Sequence, residues 1–182
     1  MRYIKILDYV LNKSKMDSLL NITKKQIFPI GLILILALSR LIPHPPNFTP
    51  IIAVAIMSCY FFKNIYLSFA ILIISMLLAD FFIGFHVKMI FVYPSILIIS
   101  YIFYKVNYEI SFKNLFIFGF FGSVIFFIIS NFGVWLIEDL YEYNMKGLIE
   151  CYILALPFFK NTFISTVIFS YAAIYVCKKL IA

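Results

Sequence analysis

The chain has 182 residues, of which 64% are hydrophobic, 20% aromatic and only 13% charged, with a formal net charge of +7 and a mean hydropathy of +1.04. Soluble domains carry roughly a quarter of charged residues, so an ordinary soluble fold is excluded and lipid becomes the natural solvent for so many Phe, Ile and Leu side chains. The basic residues lie in short loops and tails flanking apolar runs, where they orient a membrane protein, so nucleic acid is not expected as a partner.

In chain order, residues 1–25 read as a basic cytoplasmic tail. Within it Tyr3, Leu7, Val10 and Leu11 share a helical face, with Arg2, Lys5 and Asp8 elsewhere, which predicts a short amphipathic helix on an anionic leaflet. Lys24 and Lys25 precede an apolar run as in a leader peptide. Arg40 follows that run directly, where a small-residue cleavage site would stand, so cleavage is not expected.

Residues 26–182 form the predicted membrane domain. A spanning helix needs about 20 mostly apolar residues, and six candidates emerge: Ile27–Ile42, Ile51–Phe62, Ile65–Phe85, Met89–Tyr104, Leu115–Ile137 and Pro157–Cys177. The second is short and starts at a proline, as suits a helix whose outer end is irregular backbone buried in protein. Residues 138–156 open with Glu138, Asp139 and Glu142 and run into "GLIECYILALPFF". This stretch is too short and interrupted to cross by itself, and it predicts an outer, partly re-entrant helix capping the bundle before the last span.

The fold expected is therefore an all-α integral membrane protein, a bundle of six transmembrane helices. Eleven basic residues, from Arg2 to Lys25 and then Lys63, Lys105, Lys113, Lys178 and Lys179, fall on one side; Arg40, Lys88, Lys146 and Lys160 fall on the other. The excess places both termini in the cytoplasm.

With that topology, the polar residues able to bind a solute gather at the outer helix ends. Arg40 and His44 close the first span, Asn47 lies in the proline-rich loop "PHPPNFTP", and Asp80 in "LLADFFIGFH" is followed by His86. Asn131 and Trp135 stand four apart, on one helix face, and Tyr152 and Asn161 belong to the final cap. A charge inside a span costs about 2.5 to 3.5 kcal/mol, so Arg40 and Asp80 are expected to point inward, against each other or against a ligand. The prolines predict a stiff loop, rich in carbonyls and poor in donors, that loses little entropy on closing over a solute.

Other chemistry has less behind it. His44, His86 and Asp80 match no compact ligand spacing, so no metal or other cofactor is expected. Cys59, Cys151 and Cys177 are odd in number and widely spaced, which indicates neither a disulfide framework nor a zinc site. There is no nucleophile turn and no phosphate-binding Gly-rich loop, so neither catalysis nor ATP binding is expected of this chain.

The segments "RLIPHPPNFTPIIAVAI", "DFFIGFH" followed by "FVY", "NFGVW" and "GLIECYILALPFFKNT", spanning Arg40 to Thr162, resemble in order and spacing an uncharacterised family of bacterial inner-membrane proteins described as transport proteins. That family is similar to the S components of energy-coupling factor (ECF) vitamin transporters. These are small six-helix membrane proteins with an outer solute pocket covered by the loop between helices one and two. The resemblance implies capture of a vitamin-like small molecule, with a separate membrane scaffold and a pair of ATPase subunits as partners. One feature departs from the pattern: S components commonly carry an alanine pair four apart on helix one for docking, whereas this chain has Gly31 and Ala37 there, with Ala53 and Ala55, Gly119 and Gly122, or Ala172 and Ala173 as other small pairs.

The leading expectation is a solute-binding component for uptake, with the bilayer and a small molecule as its partners. Arg40 and Asp80 would set the electrostatics, Trp135 and Tyr152 would stack on the solute, and Asn131 and Asn161 would orient it. A scaffold subunit contacting another protein, and an intramembrane metal enzyme using His44, His86 and Asp80, are the rival readings.

Overall fold

The computed structural model describes residues 24–106 and 111–181; the helix expected within residues 1–25 falls almost wholly outside them. Among the described residues the chain forms six α-helices and no strand. They are α1 (Lys24–Leu38), α2 (Ile51–Phe62), α3 (Ile65–Ile83), α4 (Met89–Val106), α5 (Phe112–Ile137) and α6 (Met145–Ile181).

The boundaries follow from local chemistry. The first helix tightens into a 3-10 turn at Ser39–Leu41 and stops before Pro43, since the residue ahead of a proline is pushed into extended backbone; Ile42 is at ψ 136°. Only Lys63 and Asn64 separate α2 from α3: Lys63 takes the left-handed conformation at φ 48°, and the Asn64 side chain accepts from the amides of Tyr66 and Leu67. Gly84, at φ 107°, ends α3 where a side chain would be strained. Ser111 caps α5 by accepting from the amide of Asn114.

Four helices are long and apolar enough to cross a membrane: α3, α4, α5 and α6, with mean hydropathies of 2.3, 1.7, 2.2 and 1.5. The other two are shorter. Twelve residues of α2 reach only about 18 Å at 1.5 Å per residue, well below a hydrocarbon core of about 30 Å. Ten of those twelve are buried, because α2 lies in the middle of the bundle and packs on all five other helices. Its environment is protein, so its length need not match a bilayer.

Small and hydroxylated residues permit that enclosure. Ser68 of α3 donates to the Ser58 carbonyl at 3.1 Å, and Cys59 Sγ lies 2.9 Å from the Ser100 carbonyl of α4. Gly122 of α5 faces Ile52 so closely that an added Cβ would lie 2.9 Å from its Cγ2. Gly119 likewise abuts Val167 of α6, and Ala53 and Ala55 are fully buried. These small residues serve contacts inside the bundle.

The last helix differs from expectation. Residues 138–156 do not make a separate re-entrant cap: only 138–144 form a loop, and Met145–Ile181 is one continuous helix of 37 residues that includes Pro157. A proline removes one backbone donor, which can bend or end a helix. Here the apolar residues on both sides of it pack along α5, the most extensive helix pairing in the molecule, and the helix continues.

Candidate functional site

The ends of α1 and α3, the starts of α2 and α4, the last third of α5 and the first half of α6 meet at one end of the bundle. They enclose a cavity of about 660 Å³, within the range of small-molecule sites. Segments far apart in sequence thus bring Arg40, His44, Asn47, Asp80, His86 and Asn131 onto one wall system. Six of the nine residues singled out in the sequence are brought together.

Arg40 leaves the 3-10 turn pointing into the bundle, its side chain only 10% exposed, and Nη1 stands 2.8 Å from Asp80 Oδ1. Asp80 is 1% exposed on the last turn of α3, and its second carboxylate oxygen accepts from the Tyr93 hydroxyl at 2.8 Å. Nη1 also donates to Met76 Sδ at 3.6 Å. The guanidinium is thereby held from α3, while Nη2 and Nε have no partner among the described residues. Burying this pair is favourable only with such support, because desolvation of two charges offsets most of their attraction.

A second pair closes the mouth: Lys88 Nζ lies 2.7 Å from Glu138 Oε1, joining the start of α4 to the end of α5. Both residues line the cavity, and so does Tyr141 beside them. Partial burial, together with the negative groups nearby, Glu150 and Glu138 among them, raises the Tyr141 pKa, so its hydroxyl stays a neutral donor.

The proline loop forms another wall, through His44, Pro46, Asn47 and Thr49. Pro45 to Phe48 is a turn closed by the Phe48 amide on the Pro45 carbonyl at 3.0 Å, with Pro46 second and Asn47 at φ 59° third, the residue order that type II turns favour. The His44 Nδ1 donates to the Pro45 carbonyl at 2.9 Å, which leaves Nε2 as the ring's free nitrogen.

Three further carbonyls of the loop meet donors on α6. Asn161 Nδ2 donates to the Pro46 carbonyl at 2.9 Å, and the Thr162 and Ser165 hydroxyls, each sharing its one proton with a carbonyl of α6 itself at 2.9 Å, reach the Asn47 carbonyl at 3.4 Å and the Thr49 carbonyl at 3.0 Å, with Phe48 packed on Phe169. A segment with few amide donors thus receives its hydrogen bonds from three side chains on one helix.

Three of the expected contact residues lie outside the cavity lining. Asn161 is the strap just described. Trp135 donates from Nε1 to the Glu142 carbonyl at 3.1 Å and packs on Tyr143, folding the 138–144 loop onto α5. Tyr152 donates to the Ile128 carbonyl at 2.7 Å and meets Phe127, so it joins α6 to α5. Asn131 does line the cavity, with Nδ2 bound to the Phe127 carbonyl at 2.8 Å and its amide oxygen left as an acceptor.

Sequence reasoning set Lys88 beside His86 at the outer helix ends without singling it out, and it missed Tyr93, Glu138 and Tyr141 as site residues. Tyr93 stands in an apolar run and reads as an interfacial aromatic; only the crossing of α3 and α4 brings it to Asp80. Among the described residues no three His, Cys, Asp or Glu side chains are grouped closely enough to hold a metal ion, and His44, His86 and Asp80 do not converge into such a cluster. No curated protein and no solved structure matches the chain. Residues 20–180 do match a family of unknown function, DUF6580, and the chain belongs to that family.

Proposed function

We propose that the protein is a solute-binding membrane component for uptake of a vitamin-like or other small molecule, resembling an ECF S component. In this reading all six helices form the transmembrane domain of a bacterial inner-membrane protein. Both termini are cytoplasmic and the cavity opens outward. The observation that carries it is the cavity itself: about 660 Å³, with an apolar wall along Ile52, Val92, Phe126, Leu154 and Phe158 and about as many charged and hydrogen-bonding residues facing it at one end of the bundle. An apolar enclosure with a few convergent polar groups is what small-molecule sites look like.

Two further features support it. The loop between the first two helices forms part of the cavity wall, as in the S components that the sequence resembles. The buried charges Arg40 and Asp80 lie at the cavity, where intramembrane ionisable groups mark solute pathways. Energy for uptake would come from a membrane scaffold and ATPase subunits on other chains.

The test is mass spectrometry of small molecules that stay with the protein through detergent extraction and are released on denaturation. A stoichiometric solute, lost from Arg40→Ala and Asn131→Ala, is the expected result. A stable protein partner with no solute would favour the scaffold reading instead.

A further inference from the structure

Resting on the solute-binding reading, we infer that the cavity selects a singly charged carboxylate, seated between the free edge of the Arg40 guanidinium and the N-terminus of α2, with an apolar body behind it.

The argument starts from Arg40. Both of its contacts use Nη1, and the side chain is nine-tenths buried on the cavity wall. The side-on edge made by Nη2 and Nε therefore has two parallel donors unspent. Such an edge matches the two oxygens of a carboxylate. Asp80, itself held by Tyr93, attracts Nη1 at 2.8 Å as a charge contact without hydrogen-bond geometry, and Met76 Sδ accepts from the same nitrogen, so the guanidinium is drawn to one place before any ligand arrives.

The second contribution comes from α2. Its N-cap is Pro50, which has no side-chain donor or acceptor to offer. The first bond of the helix is from the Val54 amide to the Pro50 carbonyl. The amides of Ile51, Ile52 and Ala53 come before it and have no acceptor among the described residues, although these residues are only 8%, 1% and 0% exposed. Ile51 and Ile52 line the cavity. Buried orphan amides at a helix start, with the helix dipole behind them, favour an anion.

Charge decides between anions. With His44 and His86, which also line the cavity, counted as neutral, Arg40 is balanced by Asp80 and Lys88 by Glu138, so the uncompensated positive charge is about the half unit of the helix terminus. A monoanion matches that field. A doubly charged phosphate would face the Asp80 carboxylate without an extra cation to offset it. Behind the head group the walls of Ile52, Val92, Phe126, Leu154 and Phe158 suit an aliphatic or aromatic body.

The test measures binding of 3-phenylpropionate, 3-phenylpropanamide and 2-phenylethylphosphonate to the full chain in detergent micelles or nanodiscs, by titration calorimetry at a pH alkaline enough for the phosphonate to carry two charges. Octanoate and octanamide form a second pair. The acids should bind about tenfold or more tightly than their amides and than the phosphonate, the effect of a charged, hydrogen-bonded group. Arg40→Lys keeps the charge facing Asp80 and removes the side-on fork; it should reduce the acid preference below about threefold. Arg40→Gln with Asp80→Asn removes both buried charges together and serves if the single variant fails to fold.

Equal binding of acid and amide, phosphonate binding as tightly as the acid, an unchanged preference in Arg40→Lys, or no binding by any probe would each overturn the inference. An uncharged solute found by mass spectrometry would end the carboxylate assignment and leave the solute-binding reading standing. Absence of both solute and probe binding would end the two together.

Discussion

Arg40 and Asp80, on different helices, form a nearly buried ion pair at 2.8 Å beside the cavity, with the Tyr93 hydroxyl on the second carboxylate oxygen. Removing one partner strands the other charge in a poorly solvated site. Arg40→Gln or Asp80→Asn alone should therefore destabilise the fold by about 3 to 5 kcal/mol. The double variant should recover most of that loss, and thermal unfolding in detergent reads the cycle. Equal losses in the double and single variants would show that the pair does not act as a unit.

Tyr93 is the support of that pair. Tyr93→Phe deletes a hydrogen bond to a charged group and little else, so a cost of about 1.5 to 3 kcal/mol is expected. The loss should shrink when Asp80 is already Asn, whose amide oxygen still accepts but carries no charge. A similar loss in both backgrounds would assign the tyrosine a packing role.

Gly133 of α5 lets α4 approach beneath the cavity. An added Cβ would lie 2.4 Å from Phe91 Cγ and 2.8 Å from its Cβ, too near the backbone for the ring to swing away. Gly133→Ala should cost about 1 to 3 kcal/mol as overpacking. In a Phe91→Ala background, which lacks Cγ and the ring, the same glycine substitution should cost less in the same melting experiment.

The strap on the proline loop gives a prediction in dynamics. Asn161→Ala with Ser165→Ala removes two of the three donors from α6 to the loop, each worth about 0.5 to 1.5 kcal/mol. Hydrogen exchange at Phe48, whose amide is bonded to the Pro45 carbonyl, should quicken while the core of α2 stays protected. An unchanged loop would mean that Thr162 and the contact between Phe48 and Phe169 suffice to hold it.

Thiol labelling reads the packing without disturbing it. Cys59 and Cys151 are 4% and 1% exposed, whereas Cys177 is partly open near the end of α6. A bulky maleimide should modify Cys177 first and Cys59 last. A small methanethiosulfonate should reach Cys151, which lines the cavity, and a retained solute should slow that reaction.

Apolar periodicity placed the helices because each buries or exposes its own side chains, a property carried in local sequence. The second helix, Ile51–Phe62, and the starts of the third and fourth were legible to the residue, since Pro50, Asn64 and the Gly84 region are punctuation in the chain itself. The last helix was not. Pro157 and the acidic start at Glu138 argue for a break by local chemistry, and only contact along α5 keeps the helix whole through them.

At the candidate site, the cost of burying charge singled out Arg40 and Asp80, and proline chemistry singled out the loop. Which polar groups face the cavity and which are spent on backbone is not written locally. Trp135, Tyr152 and Asn161 have the composition of ligand contacts, yet each donates to a carbonyl at a helix or loop crossing. Lys88 and Glu138 are unremarkable until α4 and α5 come together. Sequence alone determined that the chain is built of apolar helices and where polar groups are costly. Only the tertiary structure decided which of those groups satisfy one another and which are left open, because a hydrogen-bond partner is fixed by helix crossings between distant segments.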